Sequence, residues 1–578
     1  MSIYHDQAIL HSATCFLNSL LREWNDYQVI QKNQQSHIEI KLDDESVLTI
    51  PLKQYSSLGR HVYTGEFFVH GISLSFEQMV YRLCTKLAKQ FDTPLEQVNK
   101  FKERVFASLQ NIETSLEIRE NFIESVFKSG LSFKDAEQGL FIGHNFHPTP
   151  KSRDQFDLAD MKTYSPEFGG HFALDWYMAD PSILIQNQST SFKVDSWTSE
   201  LAEQEIGDQP EYQKLKVQGF VALPMHPWQM KALSENANIQ KYIQSGLLVQ
   251  LIPSKMLWYP TSSLRSIYRQ DAPYMLKFSM SVKLTNSIRH MLTHEVERGL
   301  QLRDVLSTEL GQVFLKDHPQ FKVVTEPAYF SLKNEKGEAM DETIVVCRDN
   351  PFQSVQADHK SVLATLTQDA PLSGMNLIQS MIKSAADNLS FEARSVKWFK
   401  EYLNCVVTPL VQAQSNYGII LGAHQQNLII DFKQGYPVAA YFRDCQGTGY
   451  SELGFHNFSK HVPSIYRENG NVVSEKMGNY LFAYYLILNS TFNVITAIAQ
   501  SGWVSELILI QILKDHLQTI LDQKVKDPSC LNYILNGAEL MHKGNFICAF
   551  KNINENTTVD PLVIYTGVQN PFPGEFHA

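Results

Sequence analysis

The chain has 578 residues, 43% hydrophobic and 19% charged, an ordinary soluble balance with length for roughly three or four structural units. Its net charge of −11 argues against a nucleic-acid partner, so any anion site has to be a local basic patch. Seven cysteines lie scattered at 15, 84, 347, 405, 445, 530 and 548, and the lack of CxxC pairs or Cys/His clusters argues against zinc and suits a reducing, cytoplasmic protein.

The start, Met-Ser-Ile-Tyr-His-Asp-Gln, has no basic segment followed by an apolar one, so no signal peptide is expected. Residues 7–33 and 75–130 carry helical periodicity, with Leu83, Leu87, Phe91 and then Val105, Leu109, Ile112 spaced by three and four. Between them, His37–Leu42 and Ser46–Ile50 alternate like a hairpin. A Gly/Pro/His-rich loop occupies 139–155, and 218–290 is strand-rich. Residues 370–415 read as two helices, 416–448 as strands, 475–525 as helical, and the tail from about 546 as loop and strand. Met477–Ser505 carries no charge and is long enough for a membrane span of about 20 residues. Asn489, Ser490, Thr491, Asn493 and Thr496 interrupt it, which predicts one or two buried helices instead. Helices and strands segregate in blocks, so the expected class is α+β rather than a doubly wound sheet.

Several stretches carry chemistry. In Tyr274–His290, Leu276, Phe278, Met280, Val282 and Leu284 alternate with Lys277, Ser279, Ser281, Lys283 and Thr285. That period describes a strand with one apolar face and one cationic, hydroxyl-rich face. Thr285-Asn286-Ser287 then reads as a helix N-cap cluster, with Arg289 in the helix that follows. Donors, positive charge and helix dipole would converge there on an anion. At ~3.3 Å per residue a straight strand sets Lys277 about 26 Å from Thr285, so the two would serve opposite ends of an extended ligand.

Tyr417–Asp431 places two apolar strands around a polar turn, His424-Gln425-Gln426-Asn427, and a third strand from Pro437 ends at Arg443-Asp444. An Asn amide oxygen and an Asp carboxylate suit Mg²⁺ held on nucleotide phosphates, although a solvated turn explains the spacing equally well. The loop Gly143–Arg153 combines His144, His147, Lys151 and Arg153. It could grip a carboxylate-rich small molecule or be a structured surface turn. Thr261–Ser266 sets Ser263 and Ser266 around Arg265 like a phosphate-gripping loop, though Ser-rich turns are common. His226-Pro-Trp-Gln229 reads as packing. The usual nucleotide cradles and hydrolase motifs are absent from the sequence.

Taken in order, these motifs resemble the siderophore synthetases that work without a peptide-synthetase assembly line. The C-terminal Asp527-Pro-Ser-Cys-Leu-Asn-Tyr, Lys543-Gly-Asn-Phe and Asn554–Pro561 are similar to the citrate-acylating aerobactin synthetase type. The resemblance implies a cupped-hand α+β fold with a thumb (1–155), strand-rich fingers (156–390) and a helical palm (391–578). It also implies ATP-dependent adenylation of a citrate carboxylate, then capture by an amine or N-hydroxylated amine, with AMP and pyrophosphate released. Carried over by position, Ser263, Arg265, Ser266 and Lys277 would hold the triphosphate. Gln426, Asn427 and Asp444 would hold nucleotide and Mg²⁺; Thr285, Arg289 and His424 would face citrate and the reacting phosphate; His147 would reach the acid from the thumb. Catalysis would fall to Lys277, Thr285, Arg289 and His424, with His147 or His424 as candidate base. Family members often form homodimers. Many carry Glu-Ala-His where this chain has Gly422-Ala-His424, which leaves any role at 422 in doubt. Three alternatives stand beside this reading: a kinase-like phosphotransferase, a second-step synthetase acting on a citryl monoamide, and a non-catalytic binder of citrate-type chelates.

Overall fold

The structure is a computed structural model and describes the chain except residues 1, 33–34, 128–130, 195, 285–286, 355–357, 373, 554–563 and 573–578. Thr285 and the Asn554–Pro561 motif therefore lie outside the described residues. Ser2 accepts the N–H of His5 and starts the first helix, Ile3–Glu23. That helix ends earlier than its periodicity suggests, because Gln28–Lys32 joins an antiparallel ladder with Gln35–Lys41. The expected hairpin follows, Gln35–Lys41 against Val47–Gln54. Phe16, Leu17 and Leu20 pack against this sheet and the helices Phe76–Gln90 and Leu95–Ile118. Phe546 and Phe550, from the far end of the chain, complete the same core.

A second core surrounds a six-stranded sheet whose neighbouring strands are all antiparallel. Its strand order is Tyr259–Pro260, Ser266–Tyr268, Tyr274–Phe278, Val345–Asp349, Ala328–Leu332 and Leu184–Gln188. The expected long strand at 274–285 is broken. Ser279 interrupts it: its hydroxyl accepts the N–H of Met291 at 2.9 Å and donates to the Asp341 carbonyl at 2.5 Å. Met280–Leu284 leaves the sheet and pairs with Ser287–Arg289 instead. Arg289 thus sits on a return strand opposite Met280, not in a helix; the next helix is Thr293–Ser307. The helix-dipole argument for an anion at Arg289 falls with it.

The third core is the largest: Leu58, Val126, Leu131 and Ala136 from the N-terminal region join residues between Leu302 and Phe572. In it, Tyr436–Phe442 pairs antiparallel with Leu428–Lys433 and parallel with Phe321–Val323. A continuous helical stretch begins at Phe391 and ends at Tyr417. It stops at Gly418, whose φ is 76° and whose missing Cβ would stand 2.0 Å from the Gly454 nitrogen. The uncharged stretch forms the helix Glu475–Ala499, with 89% of its most apolar window buried, as expected for a core helix. The tail is less strand-like than expected. Asn545–Lys551 is helical, because Phe546 and Phe550 dock edge-on against Phe101.

The His226 motif packs as expected. Its ring lies 5.1 Å from Tyr164, 4.5 Å from Phe172 and 5.6 Å from Phe278 between centroids. Gln229 braces the departing strand, donating to Ser281 Oγ and accepting the Ser281 N–H. Burial pushes the His226 imidazole down to about 3. The unfolded chain therefore binds more protons there as pH falls below about 6.5, so stability is full above that pH and lost toward acid. Melting temperature should drop between pH 6.5 and 4, and His226→Phe should flatten that drop. Equal slopes in calorimetric scans would show that His226 does not contribute.

Candidate active site

A cavity of roughly 350 Å³ opens where the three cores meet. It lies within the usual size range for ligand pockets. His147, Ser263, Arg265, Ser266, Lys277, Arg289, His424, Gln426, Asn427 and Asp444 all line it. Every sequence-nominated site residue among those described is thus brought to one place. Lys277 and Arg289 are not at opposite ends of a straight track, because the hairpin turns the chain back on itself.

The Thr261–Ser266 loop is a tight turn. Leu264 takes a left-handed φ of 68°, Thr261 N–H bonds the Ser266 carbonyl at 2.8 Å, and Ser263 Oγ lies 3.2 Å from Thr261 Oγ1. Arg265 donates to the Arg289 carbonyl at 3.2 Å, which locks the loop to the hairpin. Ser266 and Lys277 face each other across adjacent strands. Lys277, almost wholly buried, pairs with Asp444 and, at 3.3 Å, with Glu326. Arg348, one strand further on, contacts Glu326 at 2.5 and 3.0 Å, Asp444 at 3.2 Å and Ser266 Oγ at 3.4 Å. Burial alone would raise the Asp444 carboxyl, but Lys277 and Arg348 outweigh it and hold the group well below the usual carboxylate range. Asp444 also has a left-handed backbone, φ 76°, a conformation uncommon outside glycine.

The polar turn sits beside this cluster. Asn427 donates its amide nitrogen to the Gly422 carbonyl at 3.0 Å, which leaves its amide oxygen as acceptor. Gln426 donates to the Ser262 carbonyl at 2.9 Å. His424 Nδ1 accepts the Gln426 N–H at 3.3 Å, so the ring proton of the neutral imidazole is assigned to Nε2. His147 repeats the device, its Nδ1 accepting the Thr149 N–H at 3.1 Å. Burial pushes His424 down to about 4, and Arg443, Arg289 and Lys543 act the same way against the opposing pull of Asp444. In both histidines nominated as bases Nδ1 is thus taken up by a backbone N–H, which leaves the ring proton of a neutral imidazole on Nε2. At Gly422, an added Cβ would meet only the Gly447 carbonyl at 3.7 Å and Tyr485 at 4.0 Å, so packing does not demand glycine there.

Several functional groups escaped sequence reasoning. Arg348 and Glu326 are distant from every motif and Glu137 lies just before the 139–155 loop; the one available signal was a charged Arg348 inside the apolar strand Val345–Asp349. Glu137 and Arg443 form a buried ion pair at 2.7 Å. Arg443 also donates to the Gln426 carbonyl at 2.9 Å and to Ser262 Oγ at 3.2 Å, while Glu137 accepts the Ser262 N–H at 2.8 Å. From the N-terminal loop, Lys151 donates to the Leu140 carbonyl at 2.6 Å, and Glu167 joins it to Arg153. Lys543 and Asn545 line the cavity too, and the Lys543 charge helps to lower both His144 and His424.

Comparison with known proteins places this architecture. The IucA / IucC family pattern matches residues 132–368, and a pattern described as a ferric iron reductase FhuF-like transporter matches 396–558. The chain is 39% identical to the N(2)-citryl-N(6)-acetyl-N(6)-hydroxylysine synthase of Vibrio mimicus, over 97% of this chain and 95% of that protein. It is 34% identical to the spermidine-citrate ligase of Bacillus anthracis, over 82% of this chain and 79% of that one. Its fold matches the ATP-bound aerobactin synthetase IucA from a hypervirulent pathotype of Klebsiella pneumoniae with a TM-score of 0.90 at 29% identity, covering 97% of this chain and 99% of that one. The chain belongs to the IucA/IucC family, the siderophore synthetases of the aerobactin type.

Removing one partner of a buried ion pair costs roughly 3–5 kcal/mol. Glu137→Ala should therefore lower unfolding free energy by about 3 kcal/mol in denaturant titrations, and should cost activity because Ser262 and the Gln426 turn lose their common anchor. Wild-type stability in this variant would remove the pair from its central place.

Proposed function

We propose that the protein is an ATP-dependent carboxylate–amine ligase of siderophore biosynthesis, which adenylates a carboxylate of citrate and joins it to an amine. One observation carries this: a single cavity holds the Lys277–Arg348–Arg265 cationic cluster around Asp444 together with Arg289, His424 and Lys543. The first set suits a triphosphate and the second a polycarboxylate. The name and 97% overlap of the Vibrio mimicus relative favour the α-amine of an N-acylated, N-hydroxylated lysine as nucleophile over a polyamine.

In the first step a citrate carboxylate oxygen attacks the α-phosphorus of ATP, and the bond to the β-phosphate oxygen breaks to release pyrophosphate. Lys277, Arg265 and Arg348 hold the departing phosphates, and Arg289 faces the charge that builds where acid and α-phosphate meet. In the second step the amine nitrogen attacks the acyl carbon, AMP leaves, and the amine loses one proton. His424 and His147, as neutral Nε2–H donors, steady phosphate or acyl oxygens and do not take that proton. Mg²⁺ fits the donor set of Asp444 and the Asn427 amide oxygen, since this ion favours one or two carboxylates with phosphate oxygens and waters completing its shell. When bound it would neutralise phosphate charge.

With ATP, citrate and labelled pyrophosphate, label should exchange into ATP; ADP as the sole nucleotide product would refute the proposal. Arg289→Ala should lower exchange at least about a hundredfold in a protein that stays folded. Lys277→Ala should act mainly through ATP, and unchanged ATP affinity and turnover would count against its phosphate role. Because His424 titrates near 4, the adenylation rate should show no His424 inflection between pH 6 and 8. An inflection there that disappears in His424→Gln would mean the imidazole changes charge during turnover.

A further inference from the structure

The first helix ends in Arg22-Glu23, and these neighbours hold two pocket walls that are far apart in sequence. The Arg22 guanidinium lies over the Phe146 ring, 3.2 Å from its centroid, in the loop that supplies His144 and His147 to the cavity. The Glu23 carboxyl, which burial pushes up to about 8 against the pull of these amides, accepts the N–H of Phe546 with one oxygen and that of Ile547 with the other, each at 2.8 Å. Those amides belong to the first turn of the helix Asn545–Lys551, immediately after Lys543. Gly544 packs on the same carboxylate: a Cβ there would stand 3.2 Å from Glu23 Oε2 and 3.1 Å from the Ile564 carbonyl. Phe546 is seated on Phe16 and Phe101, with centroids 5.1 and 5.4 Å apart. Apolar packing therefore fixes the depth of this segment, while the two directional bonds to Glu23 fix its rotation and register.

The segment matters because of what it delivers. Citrate carries three carboxylates, and only one becomes the acyl group. A carboxylate taken out of water needs a charged or hydrogen-bonding partner in the wall that receives it. Lys543 and Asn545 supply a cation and an amide to the same cavity, with Lys543 close enough to His424 and His144 to depress both imidazoles. Resting on the synthetase reading above, we infer that Glu23 is a positioning residue, which fixes the Lys543–Asn545 turn so that the Lys543 ammonium meets a non-reacting carboxylate of the acid substrate. Glu23 itself touches no substrate; it acts through the backbone of residues 546 and 547.

The test is citrate-dependent pyrophosphate exchange in Glu23→Ala, Glu23→Gln, Lys543→Met and the Glu23→Ala/Lys543→Met double variant. The KM for citrate should rise at least tenfold in Glu23→Ala and less in Glu23→Gln, which keeps one accepting oxygen; the KM for ATP should stay within twofold. Lys543→Met should show the same split. The double variant should be no worse than the worse single, because both changes remove one contact. A merely structural Glu23 would lower the active fraction, and so kcat, with the KM for citrate unchanged. That outcome, or multiplying effects in the double variant, overturns the inference. If Glu23→Ala does not fold, Gly544→Ala carries the same test, since its methyl has to push the carboxylate aside while Lys543 is retained. Wild-type protein that exchanges no pyrophosphate with citrate would refute the synthetase reading, and this inference with it.

Discussion

The pocket depends on one buried ion pair, Glu137 with Arg443. Each partner is about 2% exposed, so neither charge can be left alone without a large desolvation cost. Each also anchors the backbone of a separate segment. Glu137, on the short helix Phe133–Gln138, takes the backbone of Ser262; Arg443, at the end of Tyr436–Phe442, takes the backbone of Gln426. The serine-rich loop, the polar turn and the strand bearing Asp444 are therefore registered against one another by two side chains. Gln426 closes the circuit with its bond to the Ser262 carbonyl.

That registration brings together charges that would repel or strand one another elsewhere. Lys277 and Arg348 are offset by Glu326 and Asp444, and Arg265 adds a third positive charge acting on Asp444. Arg289 and Lys543 line the same cavity as two histidines, His144 and His424, that burial keeps neutral. The charges of Lys277, Arg348, Glu326 and Asp444 are thus held at the cavity wall by one another, since each is buried or half-buried and none could be left alone without a desolvation cost.

Much of this was legible in the sequence. The apolar alternation around Lys277, the hydroxyls flanking Arg265 and the His-x-Gln-Asn turn each named residues that the fold brings to one cavity, because strand ends and tight turns are local events with local signals. The reading failed where a local signal had two meanings. Thr285-Asn286-Ser287 suits a helix cap or the approach to a hairpin, and only the long-range pull on Ser279 from Met291 and Asp341 decides that the strand breaks and doubles back. Glu137, Glu326 and Arg348 could not be found locally, since their partners lie 22 to 306 positions away. The helical tail was missed for the same reason: Phe546 and Phe550 look like strand residues until Phe16 and Phe101 are brought to them.

The first core is closed by residues from the last part of the chain, and this has a consequence for biosynthesis. Phe101, the later of Phe16 and Phe101, leaves the ribosome 445 residues (546 − 101) before Phe546, which covers them both. At about 5–20 residues per second, the nascent N-terminal region keeps that apolar surface uncovered for roughly 20–90 s. During that interval the wall carrying Lys543 does not exist, so a truncated or stalled chain has no complete cavity and an exposed aromatic patch for chaperones and proteases to recognise. Completion of translation, rather than folding of any one region, creates the working pocket.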